Sequence, residues 1–324
     1  MINLKSRKIF FLPVNTGYND DGNPNVELID FYRKRSSNKI YCSIVGNVVT
    51  PSGFGSNDHC VFMSENLRWK DLAQVISDNG SIPGVQISSS WEGYSGITNF
   101  VARSFDTFSE YNEIVKNIHE KDIDYIFSDF YLAVDLAINA GFKHIQIHAA
   151  HGYIMSLLID DKFCENHLYV ISKLKDLIKY INSKNIETSL RFSLKIGIQR
   201  IDKMRGDTIS RIMSVNSTYH DISFGFYNIN KNMIYPKTVS MLTSRFKASL
   251  EIINKFSDNA FIISGKSLQN ILDFLPNNAS IGICRDLIAN PNYLDDLNNF
   301  CDDCGSCHYH SLGQKKLYCA KWIS

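Results

Sequence analysis

Short apolar runs, many of them β-branched, alternate along the chain with longer stretches of helical periodicity. The runs predict strands at 8–14, 39–49, 82–88, 143–149, 187–194, 219–226, 260–265 and 279–284. Most are apolar at successive positions, as is typical of parallel strands covered on both faces. The periodic stretches predict helices at 25–36, 65–79, 122–140, 165–184, 206–216, 242–256 and 267–274.

This alternation predicts an α/β fold, a single (β/α)8 TIM barrel. Two Rossmann-like halves are disfavoured because no GxGxxG follows any of the predicted strands. The predicted organisation is a barrel over 1–296, followed by a short Cys-rich tail over 297–324.

Composition and charge narrow the class of protein further. The 324 residues are 44% hydrophobic and 21% charged, which is close to the average for a globular protein. Thirty-four basic against thirty-three acidic residues argue against a nucleic-acid-binding surface. No apolar run reaches the roughly 18 residues of a membrane span, and no signal-peptide pattern opens the chain. We therefore expect a cytoplasmic protein that binds neither nucleic acid nor membrane.

The sequence HIQIHAAHGYI (144–154) places His148, His151 and Tyr153 directly after the fourth predicted strand. Reactive residues of a TIM barrel lie at this end of the strands. Three interpretations are open from the residues alone: metal ligands, an acid/base or anion-binding cluster, and buried structural side chains. No Asp, Glu or Cys in the immediate block completes a metal site, which disfavours the first interpretation.

Further polar residues follow other predicted strands. Gln86 lies near the end of the third strand and Arg191 within the fifth, while Gly265, Lys266 and Arg285 follow the seventh and eighth. The loops after strands seven and eight are the usual phosphate site of this fold. A glycine lets the backbone approach an anion, and the two basic side chains supply charge. We therefore expect a phosphate group at this place.

The cysteines fall into two groups of four. One group is scattered and typical of small buried apolar side chains: Cys42, Cys60, Cys164 and Cys284. The other group has the spacing C-x2-C-x2-C-x11-C and comprises Cys301, Cys304, Cys307 and Cys319. Such spacing can enclose one metal centre. An iron–sulfur cluster, a zinc ion, and free thiols or disulfides are the alternatives.

Together these segments resemble the Old Yellow Enzyme family of FMN-dependent ene-reductases (NADH:flavin oxidoreductases). The resemblance is to its 2,4-dienoyl-CoA reductase-like and enoate reductase-like branch. It rests on four segments in the family's order: DDGNPNVELIDFYRKRS, GNVVTPSGFG, DFYLAVDLAINAGFKHIQIHAAHGY and CRDLIANPNYLDDL. The longer relatives continue into FAD- and NAD(P)H-binding domains, whereas this chain stops at Ser324.

The resemblance implies an FMN site at Pro13, Val14, Asn15, Thr16, Gly46, Gln86, Arg191, Gly265, Lys266, Cys284 and Arg285. Within that set, Gln86 would hydrogen-bond the pyrimidine edge and Arg191 would lie by the flavin N1/C2 oxygen. The residues after strands seven and eight would hold the phosphate. The position of the four tail cysteines matches the [4Fe–4S] ligands of the longer relatives, with zinc as the alternative.

The resemblance also implies substrate roles. His148 and His151 would bind the carbonyl oxygen of an enone or enoyl substrate, and Tyr153 would donate the proton. Electrons would come from NAD(P)H or from a donor protein, and the sequence leaves a homo-oligomer open. The alternative function is a catalytically diverged flavin- or metal-binding barrel that acts as an electron-transfer or partner subunit. A metal-dependent hydrolase is a third, weaker alternative.

The chain departs from the family pattern at several positions. Serines 88–90 replace bulkier residues after the third strand, and Gln146 stands where an acidic residue is common. Cys284 replaces a phosphate-loop glycine. The stretch after Tyr153 is short, so we expect part of the wall beside the active site to be missing.

Overall fold

Eight parallel strands close into a barrel in the order in which they occur along the chain. The computed structural model describes residues 7–100, 105–265 and 274–322. The strands are β1 (Ile9–Phe11), β2 (Cys42–Val49), β3 (Ile82–Ser88), β4 (His144–Ala149), β5 (Glu187–Ser193), β6 (Tyr219–Ser223), β7 (Phe261–Ser264) and β8 (Ala279–Ile283). Because β1 pairs with both β2 and β8, the sheet has no open edge between its first and last strands. The predicted (β/α)8 barrel is confirmed, and every strand lies within its predicted range.

Eleven α-helices lie within the described residues. They are α1 (Val26–Arg35), α2 (Arg68–Asp78), α3 (Phe105–Lys116), α4 (Glu120–Asn139), α5 (Ile154–Leu158), α6 (His167–Ser183), α7 (Gln199–Asp202), α8 (Gly206–Met213), α9 (Tyr227–Ile234), α10 (Val239–Lys255) and α11 (Arg285–Ala289). Six of the seven predicted helices are present, and the predicted helix at 267–274 falls almost wholly outside the described residues. The sequence did not predict α3, α5, α7, α9 or α11.

Local capping explains where several helices begin and end. The Asn25 side chain accepts a hydrogen bond from Leu28 N at 3.0 Å and starts α1. At the start of α4, the Asp122 carboxylate accepts from His119 N at 2.9 Å. Gly141 follows α4 with a φ of 98°, a left-handed conformation that favours glycine. This turn feeds the chain directly into β4, the strand that carries the candidate histidines.

The segment that follows Tyr153 is held by a buried ion pair. After the short helix α5, Asp160 accepts from Arg205 Nε at 2.7 Å, and both side chains are buried. Arg205 also donates to the carbonyl oxygens of Ser193 and Leu194, each at 2.9 Å. The ion pair therefore links the β4–α6 connection to the end of β5. The Asp160 carboxylate also balances the positive charge of the buried Arg205 guanidinium.

The C-terminal tail packs back onto the barrel. Leu317 N donates to the Thr16 carbonyl oxygen at 2.7 Å, and the Tyr18 hydroxyl donates to the Leu317 carbonyl oxygen at 2.7 Å. Trp322 Nε1 donates to the Ile288 carbonyl oxygen at 2.8 Å. These contacts hold the tail against the loop after β1 and against α11. The division into a barrel over 1–296 and a tail over 297–324 stays a prediction.

Within the described ranges, no helix combines the length and the apolar character that crossing a bilayer would require.

Candidate active site

A cavity of about 250 Å³ opens at the carboxyl ends of the barrel strands. Eleven of the fourteen residues predicted to bind FMN or substrate line it: Pro13, Val14, Asn15, Gln86, His148, His151, Tyr153, Arg191, Gly265, Cys284 and Arg285. Three predicted residues do not appear among its walls. Thr16 and Gly46 belong to the described part of the chain but do not line the cavity. Lys266 lies outside the described residues. The structure therefore brings most of the predicted set to one place.

Thr16 and Gly46 lie next to residues that line the cavity. The Thr16 carbonyl oxygen accepts from Leu317 N, which turns this residue toward the tail. Gly46 forms a bridge with Val14. A Cβ at Gly46 would lie 2.9 Å from Gln86 Cβ and 3.2 Å from Pro13 Cβ. Only a residue without a side chain allows this approach of β2 to the cavity-lining residues.

Strand register aligns three polar residues across neighbouring strands. His148 on β4 is opposite Arg191 on β5, and Arg191 is opposite Asp221 on β6. Arg191 Nη1 lies 3.2 Å from Asp221 Oδ2, and the Arg191 Nε has no hydrogen-bond partner within the described residues. Asp221 was not predicted as a site residue, because only the strand register shows that it pairs with Arg191.

Gln146 connects this ion pair to Gln86. Gln146 Nε2 donates to Asp221 Oδ2 at 3.1 Å, and Gln86 Nε2 donates to Gln146 Oε1 at 2.6 Å. Burial raises the pKa of Asp221, whereas the Arg191 charge lowers it. The acidic partner of Arg191 thus stands on β6, while Gln146 occupies the β4 position where the family commonly has an acid.

The two histidines lie beside each other as neutral imidazoles. Their ring centroids are 5.1 Å apart, and both side chains are buried. Burial lowers the pKa of each well below 6.5, and the positive charge of Arg191 lowers it further. His151 Nε2 lies 2.6 Å from Ser223 Oγ, which fixes the ring. His148 Nδ1 has no hydrogen-bond partner among the residues described, as expected of a group that meets a ligand.

Tyr153 lies at the start of α5 with its ring 5.0 Å from that of His148. Burial raises its pKa well above 10, while a hydrogen bond with Ser56 lowers it. The hydroxyl therefore stays protonated at neutral pH. Its ring also stacks at 5.8 Å on Tyr227, which lines the same cavity. A protonated hydroxyl beside the histidine pair can act as a general acid.

The ends of β7 and β8 carry more positive charge than the sequence indicated. Arg285 lines the cavity, and its Nη1 donates to Asp303 Oδ1 at 2.7 Å. Arg245, which the sequence analysis missed, lines the same end and donates to Ser264 Oγ at 3.2 Å. Burial, and then the charges of Arg191 and Arg285, lower the Arg245 pKa to about 9. Arg245 lies within α10, and nothing in the local sequence distinguishes it from the other polar residues of that helix.

The expected gap in the cavity wall is covered by other parts of the chain. Residues 308–311 of the tail line the cavity together with Tyr227, Lys231 and Tyr235 of α9 and the residue after it. The Tyr309 hydroxyl donates to Asn15 Oδ1 at 3.0 Å, which anchors the tail to the cavity floor. Sequence reasoning missed this wall because the tail is far from Tyr153 along the chain.

The four tail cysteines line a second, small cavity that Arg285 and His308 also border. All four are free thiols, so the disulfide alternative has no support here. Within the residues that can be described, no group of three or more His, Cys, Asp or Glu side chains is arranged to hold a metal ion. The arrangement therefore gives no support to a bound metal, and His148 and His151 likewise form no such group.

The sequence model of the NADH:flavin oxidoreductase / NADH oxidase family matches residues 3–166. An NADPH dehydrogenase of Clostridium acetobutylicum is 27% identical over 208 residues, which cover 59% of this chain and 60% of that protein. An NADPH dehydrogenase of a Geobacillus species is 29% identical over 104 residues, covering 32% of this chain and 29% of that protein. The matched segment is thus less than two thirds of either relative.

Solved structures share the fold at low sequence identity. A 2-naphthoyl-CoA reductase, in complex with 2-naphthoyl-CoA, has a TM-score of 0.72 at 12% identity; the match covers 97% of this chain and 54% of that one. The Old Yellow Enzyme from Pichia sp. AKU4542 has a TM-score of 0.64 at 16% identity, covering 89% of this chain and 83% of that one. An old yellow enzyme homologue from Zymomonas mobilis has a TM-score of 0.63 at 16% identity, covering 90% and 88%.

Proposed function

The chain belongs to the NADH:flavin oxidoreductase / NADH oxidase family, and from this premise we propose that it reduces an activated C=C bond with FMN as its cofactor. The substrate is an unsaturated carbonyl compound, an enone or an enoyl ester. The observation that carries the proposal is the neutral pair His148 and His151 beside Tyr153 in the cavity that Arg191 also lines.

The cavity meets the chemical requirements of FMN. Arg191 has an unpaired, buried Nε that can donate to the flavin, and its charge would stabilise negative charge on the reduced ring. Arg245 and Arg285 supply positive charge at the ends of β7 and β8, where the phosphate site of this fold lies. Gly265 and Gly282 leave that wall without side chains. Gln86 stands on the opposite side, with its carbonyl oxygen left for a ring N–H.

The reaction follows from the protein groups around the substrate. When bound in this cavity, reduced FMN would supply the hydride that adds to the β-carbon of the alkene. His148 and His151 would donate hydrogen bonds to the carbonyl oxygen, where negative charge develops. A neutral imidazole keeps one N–H, so each of the two rings can donate one hydrogen bond to this oxygen. Tyr153 would then give its proton to the α-carbon, which completes addition of H⁻ and H⁺ across the double bond.

NAD(P)H is the proposed source of electrons. Two of the relatives are named NADPH dehydrogenases, which supports this choice. The resemblance to 2-naphthoyl-CoA reductase supports a conjugated substrate carbonyl, and the thioester of an enoyl substrate would present such an oxygen to the histidine pair. The proposed affiliation is with the 2,4-dienoyl-CoA reductase-like branch of the family.

Titration of the purified protein with FMN tests the cofactor assignment. We expect stoichiometric uptake with a change in the visible flavin spectrum. Arg191→Met should weaken FMN binding by about tenfold, because a charged hydrogen bond contributes roughly 1.5–3 kcal/mol. The matched variant Arg211→Met, which removes a cation that pairs with Asp161, should bind FMN as the wild type does. No uptake of FMN by the wild-type protein would overturn the proposal.

A [4Fe–4S] cluster at Cys301, Cys304, Cys307 and Cys319, with zinc as the alternative, remains a separate proposal. It is supported by their spacing and by their position on one small cavity. We expect protein purified without oxygen to contain iron and sulfide, or zinc, in stoichiometric amounts. Cys304→Ser should lower that content, whereas the distant Cys164→Ser should not. Protein that lacks all three elements would refute the proposal.

The alternative function, an electron-transfer or partner subunit, is favoured by one contact. Arg285 connects the predicted phosphate end to Asp303, which stands within the cysteine segment. A metal centre in the tail would then lie close to the flavin end of the cavity.

A further inference from the structure

One cation in the cavity has no role in the proposed reaction. Lys231 lines the cavity, and only 3% of its surface is exposed. Its Nζ donates to the carbonyl oxygens of Ile97 and Thr98 at 3.1 and 3.4 Å, and to Ser311 Oγ. These acceptors are all neutral. Lys231 forms no ion pair with any carboxylate among the described residues, so its charge has no carboxylate partner within that part of the chain.

Several groups near Lys231 are cationic or aromatic as well. Burial, and then the charges of Arg285, Lys231 and Lys237, lower the pKa of His308 to about 4, so this neighbour is neutral. Burial also lowers the pKa of Lys231, to about 8, so the ammonium form still prevails at neutral pH. A buried ammonium group without a counter-charge is costly unless a ligand supplies the anion.

A continuous row of aromatic rings joins Lys231 to the histidine pair. Tyr153 lies against His148, and Tyr227 stacks on Tyr153. The Tyr227 and Tyr235 hydroxyls are 2.6 Å apart. The Phe100 ring is 6.1 Å from that of Tyr235 and 4.6 Å from Lys231 Nζ. The cavity therefore has the histidine pair at one place and the Lys231 ammonium at another, with aromatic rings between them.

We propose that Lys231 binds an anionic group, such as a carboxylate, on the end of the conjugated substrate that is remote from its reacting carbonyl. The inference rests on the proposed function, since that function places the carbonyl at the histidine pair. The aromatic rings would pack against the planar body of the substrate, and Lys231 would select substrates that carry a negative charge. The preferred substrates are thus conjugated carbonyl acids rather than neutral enones.

A structural role is the competing explanation, because Lys231 also joins the 97–98 loop to Ser311 of the tail. The two roles predict different binding patterns. A residue that only holds the loops together would affect neutral and anionic ligands alike. An anion-binding residue affects only the ligands that carry the charge.

Calorimetric titration of the purified protein with cinnamaldehyde and with its meta- and para-carboxylates distinguishes these roles. We expect at least one carboxylate to bind about tenfold more tightly than cinnamaldehyde to the wild type. Lys231→Met should abolish this preference and leave the Kd for cinnamaldehyde within about twofold, as expected for loss of one charged hydrogen bond. Lys231→Arg should retain most of the preference.

Lys237→Met is the matched control. Lys237 also lies over the Phe100 ring, at 5.3 Å, but it is exposed and does not line the main cavity. We expect this variant to keep the carboxylate preference. The proposal is overturned if the wild type shows no preference, if Lys231→Met retains it, or if that variant loses both ligands equally. Because calorimetry needs neither flavin nor turnover, these results are independent of whether the protein reduces the alkene.

Discussion

Tyr153→Phe is expected to slow reduction of a conjugated enone by about 10³-fold, within the range of about 10²–10⁴ for loss of a general acid. The variant should still bind FMN, because the Tyr153 hydroxyl has no place in the proposed flavin site. Its ring would keep the contacts with His148 and Tyr227, so the substrate should bind with little change. Anaerobic stopped-flow measurement of flavin reoxidation by the enone checks the rate.

Tyr111→Phe is the control for this prediction. Tyr111 is also buried, close to Gly152, but its hydroxyl does not line the cavity. We expect this variant to reduce the enone at nearly the wild-type rate. A Tyr153→Phe variant that stays within a few-fold of wild type would show that another group, or water, protonates the α-carbon.

Asp160→Ala is expected to lower the free energy of unfolding by about 3–5 kcal/mol, the usual cost of removing one partner of a buried ion pair. The substitution leaves the Arg205 guanidinium without a counter-charge, and neither side chain of the pair has appreciable contact with water. Thr208 also loses an acceptor, since its hydroxyl lies 3.3 Å from Asp160 Oδ1. Urea denaturation followed by circular dichroism measures the change.

The adjacent residue provides the matched comparison. Asp161 pairs with Arg211 at 3.1 Å, but the Arg211 side chain is 30% exposed. Asp161→Ala removes this partly exposed pair and the 2.6 Å hydrogen bond from the Thr208 hydroxyl, so it should cost about 1–2 kcal/mol, less than Asp160→Ala. Should Asp160→Ala not fold, Asp160→Asn retains the hydrogen-bonding shape and should be destabilised as well. Equal destabilisation by Asp160→Ala and Asp161→Ala would contradict the account of the short β4–α6 connection.

The barrel could be predicted because its strands are buried on both faces. Most strands are then largely apolar runs, and the runs recur with helices between them, which is a local property of the sequence. The position of His148 and Tyr153 follows from the same pattern, since residues at or just past the carboxyl end of a barrel strand lie at the active-site face. The short helices α5, α7 and α11 were missed because four or five residues are too few to show helical periodicity.

Other parts of the site depend on contacts that the local sequence does not encode. The pairing of Arg191 with Asp221 follows from the register of β5 and β6, which only the closed barrel fixes. Lys231 lies in α9 directly after Asn230, whose φ of −147° and ψ of 83° interrupt the helix. Regular helical spacing therefore does not hold at this position. The position of the tail over the cavity requires its return to Thr16 and Asn15, a contact between the two ends of the chain.

Anaerobic mixing of the FMN-loaded, reduced protein with cyclohexenone and, separately, with saturated cyclohexanone tests the central claim most directly. The account predicts that cyclohexenone reoxidises the flavin in a single saturable phase and yields cyclohexanone, because the histidine pair holds the enone oxygen and Tyr153 supplies the proton. Saturated cyclohexanone should leave the flavin reduced. The account is contradicted if neither cyclohexenone nor any conjugated carbonyl acid reoxidises the flavin faster than cyclohexanone does.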